Sequence, residues 1–334
     1  MNVLLMNLNV GSAIEYVGGV IKKWIQELPV QFIEYKDQTK ESVTIDFIIG
    51  AKPDIIVVNE TYPRIIAPVL YYKKFNPKTK IILLVHSHKT FLGENETNPH
   101  VINQHTLFMD LVKLSDVVFT LDAKPLQKNM MSNIQVKFCP SEPEIFSNKL
   151  KWSDRPKLFC IVGNIYPLKI CKEFLLKAKT IPVEFDVYGR FMEKFSDESY
   201  KNIFKDAIKE NLKFKGEIPQ SEVGRILNGY KYCVFPHHGA ETFFMTLAQA
   251  AMCGTIPILL NDESGREFNP DWVTWAENLY LGCADIKNFI WNLKLVSENP
   301  VDYTILSNHI SKDIANRFNY EKFKQEFQLL LENP

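Results

Sequence analysis

Short β-branched runs alternate with stretches of helical period along the N-terminal half of the chain. The runs predict strands at Val3–Leu8, Val30–Tyr35, Asp54–Asn59, Lys80–Val85, Val117–Leu121 and Ile134–Phe138. Between them the apolar periodicity predicts helices over Val17–Leu28, Pro63–Phe75, Val101–Leu114 and Pro125–Met131. The prolines and polar residues of Pro140–Pro156 break this rhythm and read as a linker. Alternation then resumes. Strands are expected at Lys157–Val162, Val183–Tyr188, Leu212–Phe214, Lys231–Phe235 and Thr255–Leu260, and helices at Lys169–Lys179, Glu198–Glu210, Gln220–Gly229 and Phe244–Cys253. From Ala284 to Leu331 the chain reads as almost wholly helical, and Tyr320, Phe323, Phe327 and Leu330 mark an amphipathic packing face.

Strand–helix alternation of this kind builds a mostly parallel sheet with helices on both faces. Two such series predict an α/β architecture of two doubly wound, Rossmann-like domains facing across a cleft. The expected division is an N-terminal domain over 1–150, a C-terminal domain over 151–315 and a helical tail over 316–334. Ligands favour clefts at domain interfaces and the C-terminal edges of open α/β sheets.

At 334 residues the chain is too long for one ordinary core, and its 46% hydrophobic content is globular. Lys plus Arg equals Asp plus Glu at 39 each, a balance that gives no support to a dedicated nucleic-acid or acidic-membrane binder. Six cysteines are scattered singly with no Cys-x-x-Cys pair, as expected for reduced, buried thiols in a cytoplasmic protein. The apolar start Met1–Asn9 lacks a basic lead, and no run approaches a membrane span, so no integral membrane segment is expected.

Several chemistries are absent from the sequence. Neither a dinucleotide fingerprint nor a P-loop nor a Gly-x-Ser-x-Gly elbow occurs, and no Asp-x-Asp triplet is present to bridge a metal to a diphosphate. His237-His238 lacks a third ligand at suitable spacing, so no metal is expected. What remains is a metal-free way to hold phosphate. Gly18-Gly19 reads as the opening of a helix, where backbone N–H groups and the helix dipole favour an anion; a plain turn is the alternative. Lys169, near the start of another helix, could neutralise charge on a leaving phosphate, or be a solvated surface charge.

The densest stretch of chemistry is Glu241-Thr-Phe-Phe-Met-Thr-Leu-Ala-Gln249-Ala-Ala-Met-Cys-Gly254-Thr-Ile-Pro257. It resembles the Glu-x7-Glu signature of the retaining glycosyltransferases of family 4, which have the GT-B fold. Val162-Gly163-Asn164-Ile-Tyr-Pro-Leu-Lys169 looks like that family's Gly-Arg…Lys motif. Phe185-Asp-Val-Tyr-Gly189 and Phe214-Lys-Gly-Glu-Ile-Pro219 match two further strand ends in the same order. Gly18-Gly19 resembles the family's glycine loop and Leu84-Val-His86 its strand ending in His.

The resemblance implies a metal-independent transfer of a sugar from a nucleotide-diphosphate sugar, UDP- or GDP-type, to an acceptor hydroxyl. No separate cofactor is implied. Glu241 would bind donor-sugar hydroxyls, N–H groups near Phe244, Met245 and Thr246 the distal phosphate, and position 249 the ribose. Lys169 would offset diphosphate charge, Gly19 would touch the phosphates from the facing domain, and His86 would lie near the reacting carbon or the acceptor. The final helices would cross back onto the N-terminal domain.

The sequence departs from the pattern. Gln249 stands for the second Glu, and its amide still donates to and accepts from ribose hydroxyls. Asn164 stands for the Arg, removing a bidentate phosphate fork for which Arg190 is the candidate substitute. Thr242-Phe243-Phe244 replaces Gly-Phe-Gly, which implies a tighter sugar pocket. The acceptor stays open among glycans, lipid-linked sugars, small molecules and a modified phage DNA base. Two other readings stay open with it: a nucleotide-sugar-binding protein that has lost catalysis through Asn164 and Gln249, and a sugar-nucleotide epimerase of similar fold.

Overall fold

The computed structural model describes residues 1–8, 13–37, 45–59, 63–85, 99–120, 134–136, 141–236, 245–260, 282–283, 285–299 and 301–332. The chain divides into two compact units, Met1–Pro140 with Phe318–Pro334, and Ser141–Arg317.

In unit 1 the strands are β1 (Asn2–Leu8), β2 (Gln31–Asp37), β3 (Ile55–Val58), β4 (Lys80–Val85), β5 (Val117–Thr120) and β6 (Ile134–Val136). They form a parallel sheet in the order β2-β1-β3-β4-β5-β6. β3 is buried throughout, and its four residues are all Ile or Val, as expected of a parallel strand covered on both faces. The helices are α1 (Ala13–Gln26), α2 (Ile45–Ala51), α3 (Pro63–Phe75) and α4 (Pro99–Leu114). α2 has no counterpart in the sequence reading; with one buried residue, Ile48, it shows too little apolar period to be seen. The helix expected over Pro125–Met131 lies outside the described residues.

The last helix, α11 (Tyr320–Glu332), belongs to unit 1 and packs against α1. Trp24 donates its indole N–H to the Tyr320 hydroxyl at 2.8 Å and meets Phe323 and Phe327 at ring separations of 5.3 and 5.8 Å. Phe323, Phe327 and Leu331 are buried, one helical turn apart, so Leu331 fills the place expected of Leu330.

Unit 2 holds β7 (Lys157–Val162), β8 (Phe185–Tyr188), β9 (Leu212–Gly216), β10 (Tyr230–Phe235), β11 (Ile256–Leu260) and β12 (Gly282–Cys283). Their order is β12-β11-β10-β7-β8-β9, all parallel. The series starts in the middle, runs to one edge, then returns to the other side of β7. The topological switch point therefore falls between β7 and β10. The helices are α5 (Lys172–Ala178), α6 (Glu198–Lys209), α7 (Gln220–Asn228), α8 (Met245–Met252), α9 (Ile286–Glu298) and α10 (Thr304–Arg317). Side-chain caps set two of their starts: Asp197 accepts from the Tyr200 N–H, and Asp285 from those of Lys287 and Asn288.

The segment read as a linker is packed into unit 2, which moves the division from the expected 150/151 to 140/141. Asn228 at the end of α7 accepts from the Lys149 N–H and donates to the Ser147 carbonyl. Phe146 and Trp152 are buried, and a Cβ at Gly224 would overlap the Ile145 carbonyl. Prolines and polar residues here shape a strap fitted to the domain.

Candidate functional site

Three neighbouring strands of unit 2 end in glycine with positive φ: Gly163 after β7 at +143°, Gly189 after β8 at +146° and Gly216 in β9 at +79°. The Gly163 N–H donates to the Tyr188 carbonyl and the Gly189 N–H to that of Gly216. Any Cβ at 189 would overlap the Gly163 carbonyl, whereas those at 163 and 216 would meet open space. The glycines let the strand ends turn at close quarters and keep the C-terminal edge of the sheet low.

Asn164 and Arg190 follow the first two of these glycines, and the Ile165 N–H donates to the Arg190 carbonyl at 2.9 Å, so the pair shares one edge. Both are exposed. The Arg190 guanidinium is engaged: it grips Glu217, beyond β9, through Nε–Oε2 at 3.0 Å and Nη2–Oε1 at 2.8 Å. That carboxylate holds the Arg190 guanidinium above its ordinary pKa. The motif reading included Glu217 without assigning it a role; a strand-end Glu carries no signal of its partner.

Lys169 sits in the connection from β7 to α5, half-buried, on firmly held backbone. The N–H groups of Lys169 and Ile170 both donate to the Tyr166 carbonyl, and the Tyr200 hydroxyl donates to the Ile170 carbonyl. The Cys171 N–H donates to the Pro236 carbonyl just past β10 at 2.8 Å, stitching the Lys169 connection to the strand across the switch point. The helix expected from Lys169 thus starts at Lys172, after a turn that Pro167 and these bonds define.

Met245 and Thr246 form the first turn of α8, half-buried, and Gln249 follows one turn on. Leu247 to Met252 are all buried. Gln249 is 2% exposed, and among the described residues its Nε2 has no hydrogen-bond partner. A buried amide donor without a partner costs free energy comparable to a lost hydrogen bond. Glu241, Phe244 and His86 lie outside the described residues.

Gly18 and Gly19 correct one expectation. α1 starts at Ala13, so both lie inside the helix rather than at its opening, and a helix's unbonded N–H groups belong to its first turn. Gly18 is buried, and a Cβ there would overlap the Asn7 amide; Gly19 faces open space. Asn7 in turn accepts from buried Asn59 at 2.9 Å, linking the ends of β1 and β3, the switch point of unit 1. Gly18 therefore lets α1 sit against a polar side chain of the sheet. Unit 2 brings Asn164, Lys169, Arg190, Met245, Thr246 and Gln249 to its own sheet edge or to the helix beyond it.

The model of the family described as glycosyl transferases group 1 matches residues 142–316, more than half of the 334-residue chain. The chain belongs to this family of glycosyltransferases. No curated protein matches it by sequence. Solved structures resemble it in fold. Sucrose-phosphate synthase from Thermosynechococcus elongatus matches with a TM-score of 0.74 at 11% identity over 99% of this chain and 98% of that one. HepE from Anabaena, in complex with UDP and glucose, gives 0.73 at 10% identity over the whole of both. A TarM variant from S. aureus, in complex with fondaparinux, alpha-GlcNAc-glycerol and UDP, gives 0.63 at 14% identity over 87% of this chain. Here the chain spans 58% of the other's length. Likeness at such identities is one of fold, and the fold is GT-B. Among the described residues no helix is long and apolar enough to cross a membrane.

Proposed function

We propose that the protein is a retaining, metal-independent glycosyltransferase that moves a sugar from a UDP- or GDP-type nucleotide sugar to an acceptor hydroxyl. The observation that carries this reading is the Nε2 of Gln249, buried and without a partner among the described residues, on the helix within the signature. A ribose hydroxyl oxygen completes it. The complexes of TarM with UDP and of HepE with UDP and glucose agree in ligand class.

In this reading Glu241 holds donor-sugar hydroxyls, and N–H groups at the start of α8, from Phe244 to Thr246, cradle the distal phosphate. As the bond between the anomeric carbon and the phosphate oxygen breaks, Lys169 stabilises the charge on the departing nucleoside diphosphate. The acceptor oxygen attacks from the leaving-group face and forms the new glycosidic bond. Its proton passes to a phosphate oxygen of the leaving diphosphate. Lysine and backbone dipoles do the work that a divalent cation does in other transferases. Unit 1 takes the acceptor, with His86 as its candidate ligand. Glycans, lipid-linked sugars, small molecules and a modified DNA base all present a suitable hydroxyl. The compartment we propose is the cytoplasm.

A thermal-shift panel of nucleotide sugars tests the donor: a ligand at a hundred times its Kd adds about 2.7 kcal/mol of stability. Release of nucleoside diphosphate should then depend on an acceptor and persist in EDTA. Glu241→Ala should abolish transfer while the fold survives. Turnover of donor alone to an isomeric sugar would instead identify an epimerase, and binding without turnover a carrier.

A further inference from the structure

The C-terminal end of α8 is held by several elements of unit 2. Gly254, at φ +70°, closes the helix with its N–H on the Ala251 carbonyl, and the Thr255 N–H reaches back to Ala250. The next three carbonyls each receive a side-chain donor. Met252 accepts from Ser311 at 2.7 Å, Cys253 from Arg155 Nη2 at 2.6 Å and Gly254 from Ser307 at 2.6 Å.

Arg155 is the centre of this arrangement. It is 2% exposed, and its Nη1 also donates to the Thr255 hydroxyl at 2.7 Å and the Tyr230 carbonyl at 2.9 Å. Nη1 reaches the Leu227 carbonyl in the last turn of α7 as well, and Nη2 reaches Asn148 and the Leu150 carbonyl. Among the described residues no carboxylate pairs with it. Two helix C-termini supply the compensating negative charge instead, which is where the macrodipole is negative. Burying a guanidinium on neutral acceptors is an expensive way to stabilise a core, since apolar packing would do as well. What it provides is direction: a planar fork reads several acceptors at once and fixes their relative places.

We propose that Arg155 is a positioning residue of the donor site. It locks the C-terminal end of α8, and the eight-residue helix transmits that to Gln249 one turn away. The proposal rests on the donor reading above and adds a residue that touches no substrate. It explains why the segment Ser141–Asp154 is strapped onto this unit: the strap delivers Arg155.

The test is a double-mutant cycle read as affinity for UDP and GDP, using wild type, Arg155→Lys, Gln249→Ala and the double variant. Ser311→Ala is a milder second probe that leaves the buried charge in place. Lys keeps the cation but cannot reach Cys253, Thr255 and Tyr230 together. It should weaken nucleotide binding about tenfold in the wild-type background, the scale of coupling within one hydrogen-bonded network, and add nothing when Gln249 is Ala. Ser311→Ala should show the same non-additivity at smaller amplitude. Equal weakening in both backgrounds, or a lower melting temperature with affinity intact, overturns the clamp. If wild type binds but no coupling appears, only the clamp falls. If wild type binds neither nucleotide, the donor reading falls and the clamp with it.

Discussion

Arg190 and Glu217 meet as a two-pronged ion pair across the ends of β8 and β9, with N–O distances of 3.0 and 2.8 Å. Both side chains are about half exposed, at 50% and 52%, so the pair contributes little to stability. Its consequence is for binding, because a guanidinium fork already filled by a carboxylate is withheld from phosphate. Glu217→Ala should therefore tighten UDP or GDP binding by roughly threefold to tenfold, the scale of a charge-assisted hydrogen bond discounted for exposure. Titration calorimetry would show this, and the gain should vanish in the Arg190→Ala, Glu217→Ala double variant. Unchanged affinity in Glu217→Ala removes Arg190 from the phosphate site.

Gly189 and Gly216 look alike in sequence, each ending a strand, yet their surroundings differ. Gly189 combines φ +146° with a Gly163 carbonyl where a Cβ would stand, whereas Gly216 at +79° opens onto free space. Gly189→Ala should cost more than ~3 kcal/mol, through strain plus backbone overlap. Gly216→Ala should cost about 1–2 kcal/mol, the conformational term alone. Urea midpoints measured on both variants decide it; equal losses would mean that the close approach of the strand ends is not maintained in solution.

Asp186 gives unit 2 an acid limit. Burial pushes its carboxyl up, but hydrogen bonds from Lys157, Tyr230 and Lys215 outweigh this and leave it below its ordinary pKa. Lys157 lies at 2.6 Å and Lys215 at 3.2 Å. A carboxyl depressed in the folded state contributes stability that is fully present above its unfolded pKa, near 3.8. That contribution is lost as the pH falls from there through the lower folded value. Asp186→Asn should lower stability at neutral pH and flatten the acid limb of the stability curve below pH ~4. An unchanged acid limb in that variant would assign acid unfolding to other carboxylates.

Element type was legible wherever a run was long and buried. β4, β7 and α3 fall on their expected bounds, because Ile-Ile-Leu-Leu-Val and Leu-Phe-Cys-Ile-Val leave no competing period. α1 starts four residues earlier than expected, at Ala13. The strap was misread because prolines mark irregular backbone whether it is free or packed, and only tertiary partners such as Asn228 distinguish the two. Lys169 and Gln249 became candidates through the motif resemblance, which no local pattern replaces. Arg155 was invisible, because its six acceptors come from three separate stretches of chain, two of them more than seventy residues away.

Gln249 sets stability against binding. Among the described residues its Nε2 is buried without a partner, and a dehydrated donor left so costs about 1–3 kcal/mol. Gln249→Leu has similar volume and no polar atom. It should raise unfolding stability by about 1 kcal/mol, since an unsatisfied group is exchanged for an apolar one. The same change should weaken nucleotide-sugar binding more than tenfold, because the ligand hydroxyl then faces hydrocarbon. Gln249→Glu should do the reverse: a carboxylate at this depth destabilises the empty protein, yet it still accepts from ribose hydroxyls and retains binding. Differential scanning fluorimetry with and without UDP reads both quantities on one sample. Opposite signs in Gln249→Leu identify a site residue held in waiting for its ligand, whereas a fall in stability with binding unchanged would make Gln249 an ordinary core residue and remove the central support for the donor site.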